Sequence, residues 1–259
     1  MDTKISVVIP ALNEASWIER SVRSCWLAGV DEVIVVDGGS TDDTAGLAAR
    51  GGAAVYQGTR GRAVQQNLGA SHASGETLLF LHADNHLAPT AGRQIRHCLR
   101  DSRVLGGAFE QRIEAPGRLY RLLERGNAAR VRWRGLAYGD QAIFLRSNVF
   151  WQVQGFPQVS LMEDLLLMRR FRRLARPVLL SGPVYVHPRR WQRQGVIRQT
   201  LRNWSLICAQ AVGITPDRLS RYYPAHDSTS ALKQVLEPPE RKLAPGSRQT
   251  AGELSQVVT

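Results

Sequence analysis

The chain has 259 residues, 43% of them hydrophobic, enough for one sizeable α/β domain or two small ones around a packed core. A formal charge of +12 predicts an anionic partner: nucleic acid, a phosphate-bearing ligand or the acidic face of a membrane. Three scattered cysteines (Cys25, Cys98, Cys208), no leader-like N-terminus and no run of about 18 apolar residues lead us to expect no disulfide framework, secretory signal or membrane span. The expected place is cytoplasmic, with any membrane contact peripheral.

In chain order, short apolar runs alternate with helical patterns over the first hundred residues. Runs at 5–9, 32–37, 54–56 and 77–82 predict strands, and the segments 16–28, 42–50, 61–73 and 90–100 predict helices. That rhythm is the signature of βαβ units and a mainly parallel sheet. Val7-Val8-Ile9 and Val33-Ile34-Val35-Val36 are apolar at every position, so these strands are expected to be covered on both faces. Ser16-Trp17-Ile18-Glu19 has capping-box spacing, and Ser40-Thr41-Asp42-Asp43 a shorter-acid version of it. Further on, the pattern predicts an extended piece over 104–113, helices over 118–132 and 161–174, a strand over 141–145, and extended pieces at 178–180 and 184–186. Ile197, Leu201, Trp204, Cys208 and Ala211 recur at the spacing of an amphipathic helix, and the composition of 225–259 predicts a disordered tail.

Ligands of open α/β sheets bind beyond the carboxyl ends of the strands, so the residues after each apolar run carry the most information. Here those are Pro10-Ala11-Leu12-Asn13-Glu14, Asp37-Gly38-Gly39-Ser40, Gly61-Arg62 and His82-Ala83-Asp84-Asn85. Neither GxGxxG nor a P-loop is present.

Across residues 5–190 these segments resemble glycosyltransferase family two, whose members have the GT-A fold. ISVVIPALNEASWIERSVRS matches its opening strand, VIVVDGGSTDDT its VVDDGSxDxT element, LLFLHADN the strand before its metal-binding DxD, and LMEDLLLMRR its ED pair with the catalytic base. Gly61–Ala70, Tyr138-Gly139-Asp140-Gln141 and Arg189-Arg190-Trp191 look most like a small bacterial subgroup with HAD in place of DAD, the rSAM/selenodomain-associated transferase type. The resemblance implies an α/β Rossmann-like GT-A domain over 1–224. Its nucleotide-binding half would span about 1–100 and its acceptor half about 101–224. It also implies an inverting, metal-dependent transfer from a nucleotide diphosphate sugar, with a UDP-sugar the first choice, and Mg²⁺ or Mn²⁺ as cofactor.

Carried over residue by residue, the resemblance puts Pro10, Leu12, Glu14, Asp37, Ser40, Arg62 and Asp84 at the donor. Asp37 suits a base N–H or a ribose hydroxyl, and its alternative is a turn before Gly38. Arg62 beside Gly61 suits the diphosphate. Asp84, with His82 or His187, would hold the metal that stabilises the leaving diphosphate. His82 stands at the first Asp of DxD, with a histidine hydrogen-bonded beneath the site as the alternative, and His187 is open between ligand and bystander. Asp164, ahead of Glu163, would take the acceptor's proton; both acids also suit a helix N-terminus. Asp140, Gln141, Arg190 and Trp191 are placed near the acceptor, a hydroxyl that includes lipid-linked alcohols in its range. The arginine-rich second half suits an anionic inner membrane face. Two other functions compete: a nucleotide-sugar-binding protein without turnover, suggested by His82, and a nucleic-acid-binding protein, suggested by charge. The second lacks any RNP, KH or zinc-knuckle pattern, and no nucleic-acid partner is expected.

Overall fold

The computed structural model describes residues 3–195, apart from the side chains of Arg190, Arg193 and Gln194. The amphipathic helix predicted over 197–211 and the tail over 225–259 lie outside the described residues. The first half runs β1 (Ile5–Ala11), α1 (Ile18–Leu27), β2 (Glu32–Asp37), α2 (Thr44–Arg50), β3 (Ala54–Gln57), α3 (Arg62–His72), β4 (Thr77–Phe80), β5 (Asn85–Leu87) and α4 (Ala91–Leu99). The second half runs β6 (Gly106–Ile113), α5 (Arg118–Arg134), a 3-10 turn (Gly139–Gln141), β7 (Phe144–Arg146), α6 (Ser147–Gln152), α7 (Glu163–Phe171), β8 (Val178–Val186) and α8 (Arg189–Gln194).

All eight strands form one sheet in the order β3-β2-β1-β4-β7-β6-β8-β5. β1, β2, β3 and β4 are mutually parallel, so Ala11, Asp37 and Phe80 end at the same rim. β7 pairs antiparallel with β4 and β6, β6 and β8 are parallel, and β5 closes the far edge antiparallel to β8. Alternation along the strands splits the core in two, as a period of two residues requires. Val7, Ile9, Val33, Val35 and Leu79 face α1, α2 and α4, packing on Ile18, Val22, Cys25, Ala48 and Ile95. Val8, Leu78 and Phe80 face the opposite layer, with Ala63 and Ala70 of α3, Phe150 of α6, and Leu167 and Phe171 of α7. The result is an α/β sandwich covered on both faces, as the uninterrupted apolar strands predict.

Several local expectations are corrected. α1 begins at Ile18 without a side-chain cap: the Trp17 and Ile18 N–H groups both donate to Glu14 O at 2.9 Å, so a backbone turn replaces the predicted capping box. α2 likewise begins without a side-chain cap, because Ser40 is turned back to Asp37 and Asp42 accepts from Thr44 N–H at 3.1 Å. The strand predicted over 141–145 starts only at Phe144, since Gln141 N–H closes the preceding turn on Tyr138 O at 2.9 Å. The two extended pieces after 178 fuse into β8, and β5 and α6 were not foreseen because three and six residues are too short to show a period.

Candidate active site at the strand ends

Two backbone clamps shape the rim where β1 and β2 end. Gln65 of α3 is buried, and its Nε2 donates to Ala11 O and Val36 O, both at 2.8 Å. Gly38 N–H donates to Ala11 O at 2.9 Å, and a Cβ at Gly38 would meet Gln65 Nε2 at 3.0 Å, so glycine lets the two strand ends close over the amide. Asp37 is buried, with its carboxylate accepting from Ser40 N–H at 3.1 Å and from Ser40 Oγ. Ser40 Oγ in turn accepts from Asn13 N–H at 2.9 Å. The turn reading of Asp37 therefore holds as a fact of local structure, and the same turn ties the β2 end to the loop after β1. Pro10 is a correction: it is buried inside β1, in register with Val36, and offers a ligand no surface.

Arg189, at the start of α8, joins the first loop to the fourth strand end. Its Nη1 and Nη2 fork onto Glu14 at 2.9 and 2.6 Å, and its Nε donates to Asp84 Oδ2 at 2.8 Å. Burial alone would lower the Arg189 pKa, but the two carboxylates outweigh it and hold it above its ordinary value. Sequence reasoning noted the Arg-Arg-Trp segment but gave its first arginine no role. Its partnership with Glu14 and Asp84, more than a hundred residues away in sequence, leaves no local signal. Trp191 packs partly against the core and meets Tyr120 edge-on, with ring centroids 6.3 Å apart. The side chain of Arg190 lies outside the described part of the chain.

Asp164, at the start of α7, is held against the 3-10 turn. Its Oδ2 accepts from Gly139 N–H at 2.6 Å and its Oδ1 from Leu165 N–H at 2.7 Å. A Cβ on Gly139 would lie 2.7 Å from His82 Nε2 and 3.3 Å from Asp164 Oδ2, so glycine is needed to let the imidazole and the carboxylate approach the turn together. The Gly139 turn thus brings Asp164 of the ED pair and His82 of the HAD strand end, about eighty residues apart in sequence, beside one another. Glu163 is buried and faces Arg62 across 3.3 Å, which ties α7 to the start of α3. Two residues hold unusual backbone beside the site: Met162 at φ 66° before α7 and Ala142 at φ 47° after the turn. Non-glycine residues in this region cost about 1 kcal/mol or more each, a cost typical of segments that aim a functional group.

Gln141 is another correction. It is fully buried; its Oε1 accepts from Arg130 Nη2 at 2.6 Å and Tyr138 N–H at 3.2 Å, and its Nε2 donates to Phe109 O at 3.4 Å. An amide so committed supports the turn and cannot meet an acceptor. Asp140 is half-buried, and its backbone O accepts from Gln111 Nε2 at 3.2 Å. Arg130, missed by sequence reasoning, stacks over Tyr138 at 3.6 Å. Burial lowers the Arg130 pKa, against the pull of Tyr138, Asp140 and Asp164, and burial raises the Tyr138 pKa.

The three expected metal ligands do not converge. Among the described residues no group of three or more His, Cys, Asp and Glu side chains could hold a metal ion. Asp84 turns to Arg189, His82 to the Gly139 turn, and His187 Nδ1 accepts from Arg189 N–H at 3.2 Å while its ring lies 4.0 Å from that of Trp17. Desolvation lowers the His187 pKa, which favours its neutral form. The donor set therefore does not fit a metal centre built by protein alone. It fits a cation shared between one carboxylate, Asp84, and phosphate oxygens of a ligand, the usual mode for Mg²⁺.

Known proteins place this arrangement. The family model described as glycosyl transferase family 2 matches residues 6–200. A glucosyl-3-phosphoglycerate synthase of Mycobacterium tuberculosis is 39% identical over 94 residues, which cover 31% of this chain and 28% of the synthase. An uncharacterised glycosyltransferase of Rickettsia conorii is 33% identical over 91 residues, 32% of this chain and only 15% of that protein. Among solved structures, Staphylococcus aureus TarS superposes with a TM-score of 0.59 at 19% identity over 71% of this chain and 36% of its own, a likeness of fold. The M. tuberculosis synthase in complex with Mn²⁺, UDP and glucosyl-3-phosphoglycerate does so with a TM-score of 0.51 at 25% identity, over 71% of this chain and 70% of its own. With the matched segment covering well over half of its length, the chain belongs to glycosyl transferase family 2.

Proposed function

We propose that the chain transfers a glycosyl group from a UDP-sugar to a hydroxyl acceptor with inversion at the anomeric carbon. The observation that carries this reading is the meeting of Asp164 and His82 at Gly139, with Asp84 two residues further along the chain from His82. Asp164 takes the proton from the acceptor hydroxyl as its oxygen attacks the anomeric carbon, and the bond from that carbon to the diphosphate breaks in the same displacement. Two backbone N–H groups fix the carboxylate, one on each oxygen, and leave a lone pair on each for the incoming proton. In this reading Asp37 and the Ser40 turn serve the nucleoside and Arg62 the diphosphate, while Arg189, paired with Glu14 and Asp84, holds those two acids in place. A divalent cation held by Asp84 and the donor's own phosphates would add Lewis-acid stabilisation of the leaving group. Support for UDP and Mn²⁺ comes from the complex of the related synthase.

A thermal-unfolding screen with UDP-, GDP- and dTDP-sugars, with and without Mn²⁺, tests the reading. UDP-sugars are expected to raise the midpoint most. No shift with any nucleoside diphosphate sugar would overturn it.

A further inference from the structure

We infer that the outer face of α5, with the end of α7, is a docking surface for an anionic phospholipid bilayer. This inference stands apart from the transferase reading, because it concerns a surface that the cleft does not use.

At 3.6 residues per turn, Leu119, Leu122 and Trp133 fall within about 60° of arc on α5. They are 49%, 64% and 79% exposed. Arg118, Arg125 and Arg132, spaced seven residues apart and all exposed, occupy about the next 40° of the same helix. The opposite face, carrying Glu124, Ala128 and Val131, is buried. Glu124 is the one acid in α5, and it is spent on Arg121 at 2.8 Å. Among the described residues the apolar stripe is therefore bordered by cations that its own helix does not neutralise; Arg132 alone of the row reaches an acid, Glu110.

A second element extends the patch. Arg176 Nη2 donates to Trp133 O at 3.1 Å and Arg172 Nη1 to Arg134 O at 2.8 Å, which lays the end of α7 beside the end of α5. Leu174, in the same segment after α7, is 45% exposed.

The chemistry selects the occupant. Nucleic acid would match the arginines but would leave two leucines and a nearly bare tryptophan against sugar, phosphate and water. A bilayer interface takes all three kinds of group: leucines in the acyl boundary, tryptophan at headgroup level and arginine on lipid phosphate.

The test is flotation of the full-length protein with vesicles of phosphatidylcholine alone and with about one-third phosphatidylglycerol, at low and high salt. Two double variants accompany it, Leu122→Ser with Trp133→Ser and Arg118→Gln with Arg125→Gln, each checked by thermal unfolding. All four side chains are exposed, and the two pairs probe the face independently. Wild type is expected to float with the anionic vesicles only, less so in high salt. The arginine pair should weaken binding by about 25-fold and the apolar pair by at least about tenfold. Failure to float with anionic vesicles would overturn the inference, as would wild-type flotation by both folded variants. So would tighter binding to an oligonucleotide that ignores the Leu122 and Trp133 changes.

Discussion

Arg189 Nε lies 2.8 Å from Asp84 Oδ2, so the acid expected to bind a cation already holds one supplied by the chain. The same guanidinium also satisfies Glu14, at 2.6 and 2.9 Å. Arg189→Ala leaves two largely buried carboxylates facing each other and should cost about 3 kcal/mol of stability. It should also free Asp84, so Mn²⁺ without nucleotide should raise the midpoint of the variant more than that of wild type. Arg189→Lys should recover only part of the loss, since an ammonium cannot reproduce the fork. Equal Mn²⁺ responses in wild type and Arg189→Ala would remove Arg189 as the competitor for that oxygen.

Gly139→Ala places a methyl group 2.7 Å from His82 Nε2 and 3.3 Å from Asp164 Oδ2. UDP affinity should persist while turnover falls by about 100-fold, the scale of a misplaced catalytic group. Gly126→Ala is the control, because its Cβ meets nothing within 4 Å. That change should stabilise the exposed helix by up to about 1 kcal/mol and leave transfer alone. Equal kinetics for the two variants would show that the turn does not position Asp164.

Burial pushes the Cys25 thiol up to about 12 and that of Cys98 up to about 11. At pH 8 the thiolate fraction of either is then on the order of one in a thousand or less, and alkylation mapped by mass spectrometry should spare both until the protein unfolds. The unfolded thiols titrate near 9. Their contribution to stability is therefore complete below that pH and is lost as pH rises towards the folded values. Rapid labelling of Cys25 in the native protein would contradict the burial.

The parallel half of the sheet was legible because Val7-Val8-Ile9 and Val33-Ile34-Val35-Val36 admit no other arrangement: an apolar residue at every position needs cover on both faces. The polar residues after those runs marked the strand-end rim as the expected ligand position. The partnerships there were not legible. Gln65, read only as part of a family segment, proves to pin two strand ends. Asn67 of the same segment clamps the backbone of Phe156, at 2.8 and 2.9 Å. Gln141 followed Asp140 into the acceptor assignment, although the turn buries one and leaves the other half-buried. Which of His82 and His187 would join Asp84 at a metal was left open by the sequence, because side-chain direction leaves no trace in spacing.

The central claim is that Asp164 is the base of a transfer reaction in a cleft shared with Asp84. Release of UDP from a UDP-sugar, measured for wild type and Asp164→Asn beside the UDP affinity of each, tests it most directly. The account predicts unchanged UDP binding and a rate at least about 100-fold lower in the variant. Equal rates with intact binding would contradict it.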